Sequence, residues 1–205
     1  LLIWLRDNRG QSPVEIEHRY EGGLKEYVLA MNEKKEAIHE EVLHVIGSEM
    51  GDKGEVFVEV ALQWTDAYSE SVHCFTNIIH NADGGTHLSG LKSSLTRTVN
   101  TYAQSRKLLK NVSNLSGDDI REGVSAVVSI KHPDPSFNAQ TKSKLVTSEV
   151  AGIVEKIVND KLGEYFEENP SVAKTIVEKA VLASKAREAA RKARDLTRRK
   201  GVLEG

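Results

Sequence analysis

Residues 55–64 read EVFVEVALQW, and this stretch decides the fold. Val56, Val58, Val60 and Leu62 recur with a period of two, so one face of an extended strand is apolar and lies on a core. Working outward, residues 41–46 give a strand before it, and the three glycines within residues 47–54 give a loop between the two. Residues 72–79 and 124–131 are two more strand-like runs. Helical spacing appears in residues 24–31, where Leu24, Tyr27, Val28 and Met31 share a face. It returns in residues 87–110, with Thr86 as N-cap and a stripe of Leu88, Leu91, Leu95, Val99, Tyr102 and Leu109. Residues 148–168 give a further helix, and Asn169-Pro170 ends it. From residue 171 to about 200 there is no breaker, and a helix of that length runs about 45 Å. Strands in residues 1–5 and 14–17 flank the turn-rich Asp7-Asn8-Arg9-Gly10 and make a separate hairpin. The expected class is α+β: a mixed sheet of about four strands, packed helices and a long C-terminal helix.

Composition narrows the function classes. The 205 residues include 28 Lys+Arg and 30 Asp+Glu, with 39% hydrophobic residues, which suits a globular chain. Cys74 is the only cysteine, so no disulfide framework or thiolate metal site is expected and a reducing, cytoplasmic setting fits. No apolar run reaches the ~20 residues of a membrane span, and LLIWLRDNRG lacks the pattern of a signal peptide. The chain opens in mid-strand without an initiator methionine, as though cut from something longer. Its net charge of -2 conceals an asymmetry: residues 185–200 hold eight basic and two acidic residues, a local +6, which leaves -8 for the rest. A basic end on an acidic body points to a polyanion or an acidic partner. In the same helix Ala183, Ala186, Ala190 and Ala193 form a stripe that permits close approach of another helix.

Chemistry-bearing residues are few. His132-Pro133-Asp134-Pro135 denies the backbone a helix, so Gln140-Thr141-Lys142 lies at a loop tip ahead of the next helix. Gln140 and Thr141 offer hydrogen bonds, and Lys142 offers a mobile charge of the kind used on a terminal phosphate; a solvated surface lysine reads the same way. Asp83-Gly84-Gly85-Thr86 before a helix is either an anion cradle or a tight strand-to-helix loop. His39 and His44 are spaced by five, not the four of a helical zinc pair, so no metal site is expected; His87 reads as a helix-start residue. Lys92, Arg97, Arg106, Lys107 and Lys110 make one helix basic, either as a solvated face or as a surface for a phosphate backbone. No GxGxxG or P-loop is present, so the chain holds part of a nucleotide site at most.

Together these stretches resemble the B-subunit family of DNA gyrase, a type IIA topoisomerase. The matching segments are HRYEGG (18–23), VALQW (60–64), CFTN (74–77), GGTHLSG (84–90), LTRTVN (95–100), SGDDIREG (116–123), PDPSF (133–137), QTKSKL (140–145) and the run from residue 186 to the end. The resemblance implies a transducer domain, similar in fold to domain 2 of ribosomal protein S5. It implies that residues 1–19 are the terminal hairpin of a preceding GHKL ATPase domain, residues 20–170 the transducer, and residues 171–205 its long basic helix. It further implies ATP with magnesium, bound mainly by the preceding domain, and a γ-phosphate contact from Lys142, with Gln140 and Thr141 beside it. By the same resemblance Lys92 takes a position that is arginine in some members and lines the cavity for transported DNA, and Lys92 and Arg97 are the candidates for that cavity. The implied partners are duplex DNA, the gyrase A subunit and a second B subunit, with no membrane and a cytoplasmic location. ATP turnover would close a gate around DNA and drive strand passage and negative supercoiling. The chain by itself is expected not to hydrolyse ATP; turnover by the purified chain would contradict this. The B-type subunit of topoisomerase IV shares these motifs. An S5-like nucleic-acid-binding module accounts for the basic arm but not for QTK, and GGTH, TRTVN and SGDDIREG together argue against a mismatch-repair or chaperone relative.

Overall fold

The computed structural model describes residues 2–109 and 114–203, with side chains to residue 197. The described residues form two sheets. Strands β1 (Leu2–Asp7) and β2 (Val14–Arg19) pair antiparallel as a separate hairpin, with Trp4 opposite Glu17 and Leu5 opposite Ile16. Leu2, Ile3, Trp4, Leu5, Val14 and Ile16 are all exposed.

The main sheet is mixed and has the order β3-β4-β7-β5-β6, from β3 (Leu43–Gly51), β4 (Gly54–Trp64), β5 (Ser71–Thr76), β6 (Ile79–His80) and β7 (Val124–Lys131). All neighbours are antiparallel except β5 and β7, which run parallel with Cys74 beside Val128. Helices α2 (Thr86–Ser105) and α3 (Gly117–Arg121) form the crossover between those two strands. Val56, Val58, Val60 and Leu62 are buried as the alternation requires, in one core with Leu91, Leu95 and Val99 of α2. Val150, Val154 and Val158 of α4 (Glu149–Glu168) join the same core. On the other face, Ala61 and Val127 are covered by Val28 of α1 (Gly23–Met31), so the end of β4 is buried on both sides. Burial pushes the Cys74 thiol up to about 12, which leaves it without thiolate at neutral pH.

Four expectations are corrected. The sheet has a fifth strand, because the run 72–79 folds back at Asn77 and Ile78, whose φ values of 47° and 64° make a two-residue hairpin turn. Residues 47–51 continue β3 and are not a loop: a Cβ on Gly47 would meet Ile157 Cγ2 at 2.7 Å, so glycine is there for the helix behind it. Helix α2 stops at Ser105, with Lys107 left-handed at φ 54°, and Lys110 lies outside the described residues. Its N-cap is Gly85, and Thr86 makes no capping bond.

Helix α5 (Pro170–Leu203) spans about 50 Å at 1.5 Å per residue. Ala173, Ile176, Val177, Ala180 and Ala183 are buried, whereas Ala186, Ala190 and Ala193 are exposed. Among the described residues the last anchor to the body is Arg187, whose Nε and terminal nitrogen each donate to Asp119 at 2.9 Å. Asp119 also closes a capping box with Ser116 at the start of α3. Burial alone pushes that carboxyl up, but the bonds from Arg187 and Ser116 outweigh it and hold it below the usual range.

Candidate functional site

The loop between β7 and α4 is built as a small excursion with paired arms. Ser136 C=O accepts from Val146 N–H at 2.9 Å, and Asn138 N–H donates to Lys144 C=O at 3.1 Å. Its base is tied to α4: buried His132 accepts the Asp134 N–H on Nδ1 at 3.1 Å, so Nε2 carries the proton and donates to Glu149 at 2.9 Å. Glu149 also accepts from Asp52 N–H at 2.6 Å, and this bond and then the one from His132 hold its carboxyl below the usual range. The end of β7, the turn between β3 and β4, and the start of α4 therefore meet at the loop's root.

At the tip, Gln140 and Thr141 are exposed and Lys142 is half-buried, with Nζ 5.7 Å from the Phe137 ring centroid. Among the described residues Lys142 makes no ion pair, so its ammonium remains available to an anion. The backbone at Lys142 is left-handed, φ 55°, a conformation that costs a residue with a Cβ about 1–2 kcal/mol. Contacts on both sides hold it there. Lys142 N–H donates to Ala139 C=O at 2.9 Å, and the Asn81 carboxamide donates to Lys142 C=O at 2.7 Å. The returning arm is stitched to the turn before α2. Asp83 N–H donates to Ser143 C=O at 2.9 Å, Leu145 N–H to Gly84 C=O at 3.0 Å, and Thr86 N–H to Leu145 C=O at 3.1 Å. The Gly84-Gly85 pair is thus filled by the loop's own backbone, the tight strand-to-helix reading of that motif.

Asn81 is 1% exposed and its Oδ1 accepts from Thr76 Oγ1 at 2.7 Å and from His87 Nε2 at 3.0 Å. Because Asn81 Nδ2 is committed to Lys142, Oδ1 must face the other two, so His87 carries its proton on Nε2. Burial lowers the His87 pKa to about 4, with a smaller opposing effect from the Gly85 carbonyl, so the ring is neutral at pH 7. Sequence reasoning missed Asn81, His132 and Glu149; only the mixed Asn and Gly content of the 77–85 stretch hinted at a structured turn.

The basic positions on α2 differ from each other. Lys92 is ion-paired to Glu70, which also receives Arg121 Nε at 2.8 Å, and Arg121 in turn bonds Asp118 at 2.7 Å. Burial pushes the Glu70 carboxyl up, but Lys92 and then Arg121 outweigh it and keep it ionised below the usual range. Arg97 is 72% exposed at the side chain and has only a loose 3.5 Å approach to Glu155. Both line a polar groove of about 700 Å³ with Asn100, Gln104, Asn114 and Arg121. Lys142 does not join them: it sits at the N-terminal end of α2, and Lys92 and Arg97 lie roughly 9 and 17 Å further along the axis at 1.5 Å per residue.

Comparison with known proteins decides the family. The family model described as DNA gyrase B matches residues 23–196. The chain belongs to the DNA gyrase B family. It is 52% identical to the DNA gyrase B subunit of Synechocystis sp. over 204 residues, covering 98% of this chain and 19% of that protein. The DNA gyrase B subunit of Enterococcus faecalis is 47% identical over 205 residues, 100% of this chain and 31% of that protein. This member of the gyrase B family therefore spans less than a third of either relative. Among solved structures, the 43K ATPase domain of Thermus thermophilus gyrase B, in complex with an aminocoumarin, matches with a TM-score of 0.81 and 38% identity. That match covers 91% of this chain and 49% of that one. The topoisomerase IV ATP binding domain of Francisella tularensis is more distant, at TM-score 0.69 and 25% identity over 85% of this chain and 46% of that one.

Proposed function

We propose that this chain is the transducer of a gyrase B-type subunit, in which Lys142 meets the terminal phosphate of ATP and the nucleotide state is passed to a DNA gate. The observation that carries the reading is Lys142, half-buried, without an ion pair among the described residues, and held left-handed on a loop locked to two rigid elements. A lysine presented this way has a fixed root and a mobile charge, so its Coulombic gain appears with a terminal phosphate and vanishes when that phosphate leaves. Residues 1–19, among which Leu2, Ile3, Trp4, Leu5, Val14 and Ile16 are exposed, belong in this reading to a preceding ATP-binding domain that holds ATP and magnesium, with Gln140 and Thr141 beside Lys142. Residues 20–170 are the transducer body and 171–205 its lever. Turnover then belongs to the longer ATP-dependent topoisomerase, an isomerase that introduces negative supercoils by strand passage. It works with the gyrase A subunit, a second B subunit and duplex DNA in the cytoplasm. No helix among the described residues is long and apolar enough to cross a membrane. The match to the family model described as DNA gyrase B, with 38% identity to the Thermus thermophilus domain against 25% to the topoisomerase IV domain, favours the gyrase assignment.

Salt-dependent binding of the chain to duplex DNA tests the DNA side. Arg97 is free to contact a phosphate, whereas Lys92 is neutralised by Glu70. Arg97→Ala is therefore expected to reduce the log–log salt slope by about 1, and Lys92→Ala by less than half as much. A slope unchanged by Arg97→Ala would remove the α2 face from the DNA path and leave the C-terminal arm as the basic contact.

A further inference from the structure

We infer that Asn81 is a positioning residue for Lys142: its buried carboxamide clamps the Lys142 carbonyl and ties the loop tip to the first turn of α2. The inference rests on the reading of Lys142 as the phosphate contact, and it identifies how that lysine is aimed and which helix it moves.

The geometry leaves Asn81 little freedom. Its side chain uses both ends: Nδ2 donates to Lys142 C=O, and Oδ1 accepts from Thr76 Oγ1 and His87 Nε2. Thr76 closes β5 and His87 sits in the first turn of α2, both fully buried, so the amide plane is fixed by the sheet and by a helix. Asn81 N–H also donates to Cys74 C=O at 2.8 Å, which seats its backbone on β5. A left-handed Lys142 needs such a partner, because the turn bond to Ala139 constrains only its N–H side. With the carbonyl clamped, the direction of Lys142 Cα–Cβ is set by buried groups and not by the exposed Gln140 and Thr141.

The same bonds define a route for motion. Asp83, Gly84 and Thr86 are backbone-bonded to Ser143 and Leu145, so a pull on Lys142 reaches the N-terminus of α2 before it reaches α4. Helix α2 in turn lies on α4 at close range: a Cβ on Gly90 would meet Ala151 C=O at 2.4 Å, and Thr98 bonds Asn159 at 2.9 Å. Displacement at the phosphate contact is therefore delivered to the helix that carries Lys92 and Arg97.

The test pairs Asn81→Ala with the isosteric Thr76→Val, which removes one of the two donors that orient the amide. In the 205-residue chain, NMR carbon shifts of Lys142 report its left-handed backbone, and hydrogen exchange reports the Asp83 and Leu145 amides. Asn81→Ala is expected to move the Lys142 shifts toward random coil and to lower protection at Asp83 and Leu145 about tenfold, with β4 amides unaffected. Thr76→Val moves the same quantities in the same direction by less, and decides alone if Asn81→Ala does not fold. Unchanged Lys142 shifts in the folded variants overturn the inference. In the longer subunit, Asn81→Ala is expected to lower kcat for ATP about tenfold while ADP affinity is retained, a split that general structural damage would not produce. If Lys142→Ala leaves turnover intact while Asn81→Ala still moves the shifts, the phosphate reading fails and the positioning stands. If Lys142→Ala abolishes turnover and Asn81→Ala does not lower it, the positioning role fails.

Discussion

Replacing Lys142 with alanine in the longer subunit is expected to cut ATP turnover on the order of 100-fold, the typical loss when one preorganised charge-stabilising donor is removed from a reacting centre. The fold is expected to survive. The loop is held through the Lys142 backbone, by Asn81 and Ala139, and alanine keeps both bonds and the same left-handed strain. Beyond the backbone the side chain contributes an ammonium near the Phe137 ring, a contact worth at most about 1 kcal/mol at a partly exposed site. Steady-state turnover and a thermal melt, measured on the same preparation, separate the two effects. Unchanged turnover would take Lys142 out of the site; a collapsed melt would mean that its side chain holds the loop.

The largest expected loss of stability comes from Gly85→Ala. A Cβ there would lie 2.2 Å from Leu145 C=O and 2.6 Å from Leu145 N, both backbone atoms that already bond Thr86 and Gly84. The φ of 138° is, in addition, a conformation that side chains rarely adopt. Neither the helix start nor the returning arm can yield without breaking the stitch between them, so destabilisation of more than about 3 kcal/mol is expected. Gly163→Ala in α4 is the contrast. Nothing lies within 4 Å of its Cβ, and alanine in a helix interior gains about 0.5–1 kcal/mol over glycine. Urea unfolding of the three proteins should therefore move the midpoint in opposite directions for the two variants. A Gly85→Ala midpoint near wild type would mean that the loop and α2 are not locked together.

What the sequence made legible was periodic or chemically distinctive. The alternation of Val56, Val58, Val60 and Leu62 placed β4 and one face of the core, and the 3.6-residue spacing of Leu91, Leu95, Val99 and Tyr102 placed α2. Pro133 and Pro135 placed the loop that carries Lys142. What stayed hidden was glycine used for packing and turns used against propensity. Gly47 looks like a loop residue because its reason, Ile157 of α4, is far away in the chain. Ile78 looks like strand because it is β-branched, yet it turns the chain at a left-handed φ. Charge pairing was equally opaque: Lys92 and Arg97 look alike on α2, and only the approach of Glu70 shows that one is neutralised and the other is open. Asn81 escaped notice for the same reason, since its bond to Lys142 joins residues 61 positions apart.

The claim that organises all of this is that Lys142 reads the terminal phosphate. Its most direct measurement is the affinity of the longer subunit for a non-hydrolysable ATP analogue and for ADP, wild type against Lys142→Ala. The preference for the ATP analogue is predicted to fall at least about tenfold, equivalent to about 1.4 kcal/mol, while ADP affinity stays the same. Equal preference in wild type and variant would contradict the account, because the lysine would then not distinguish the two nucleotide states.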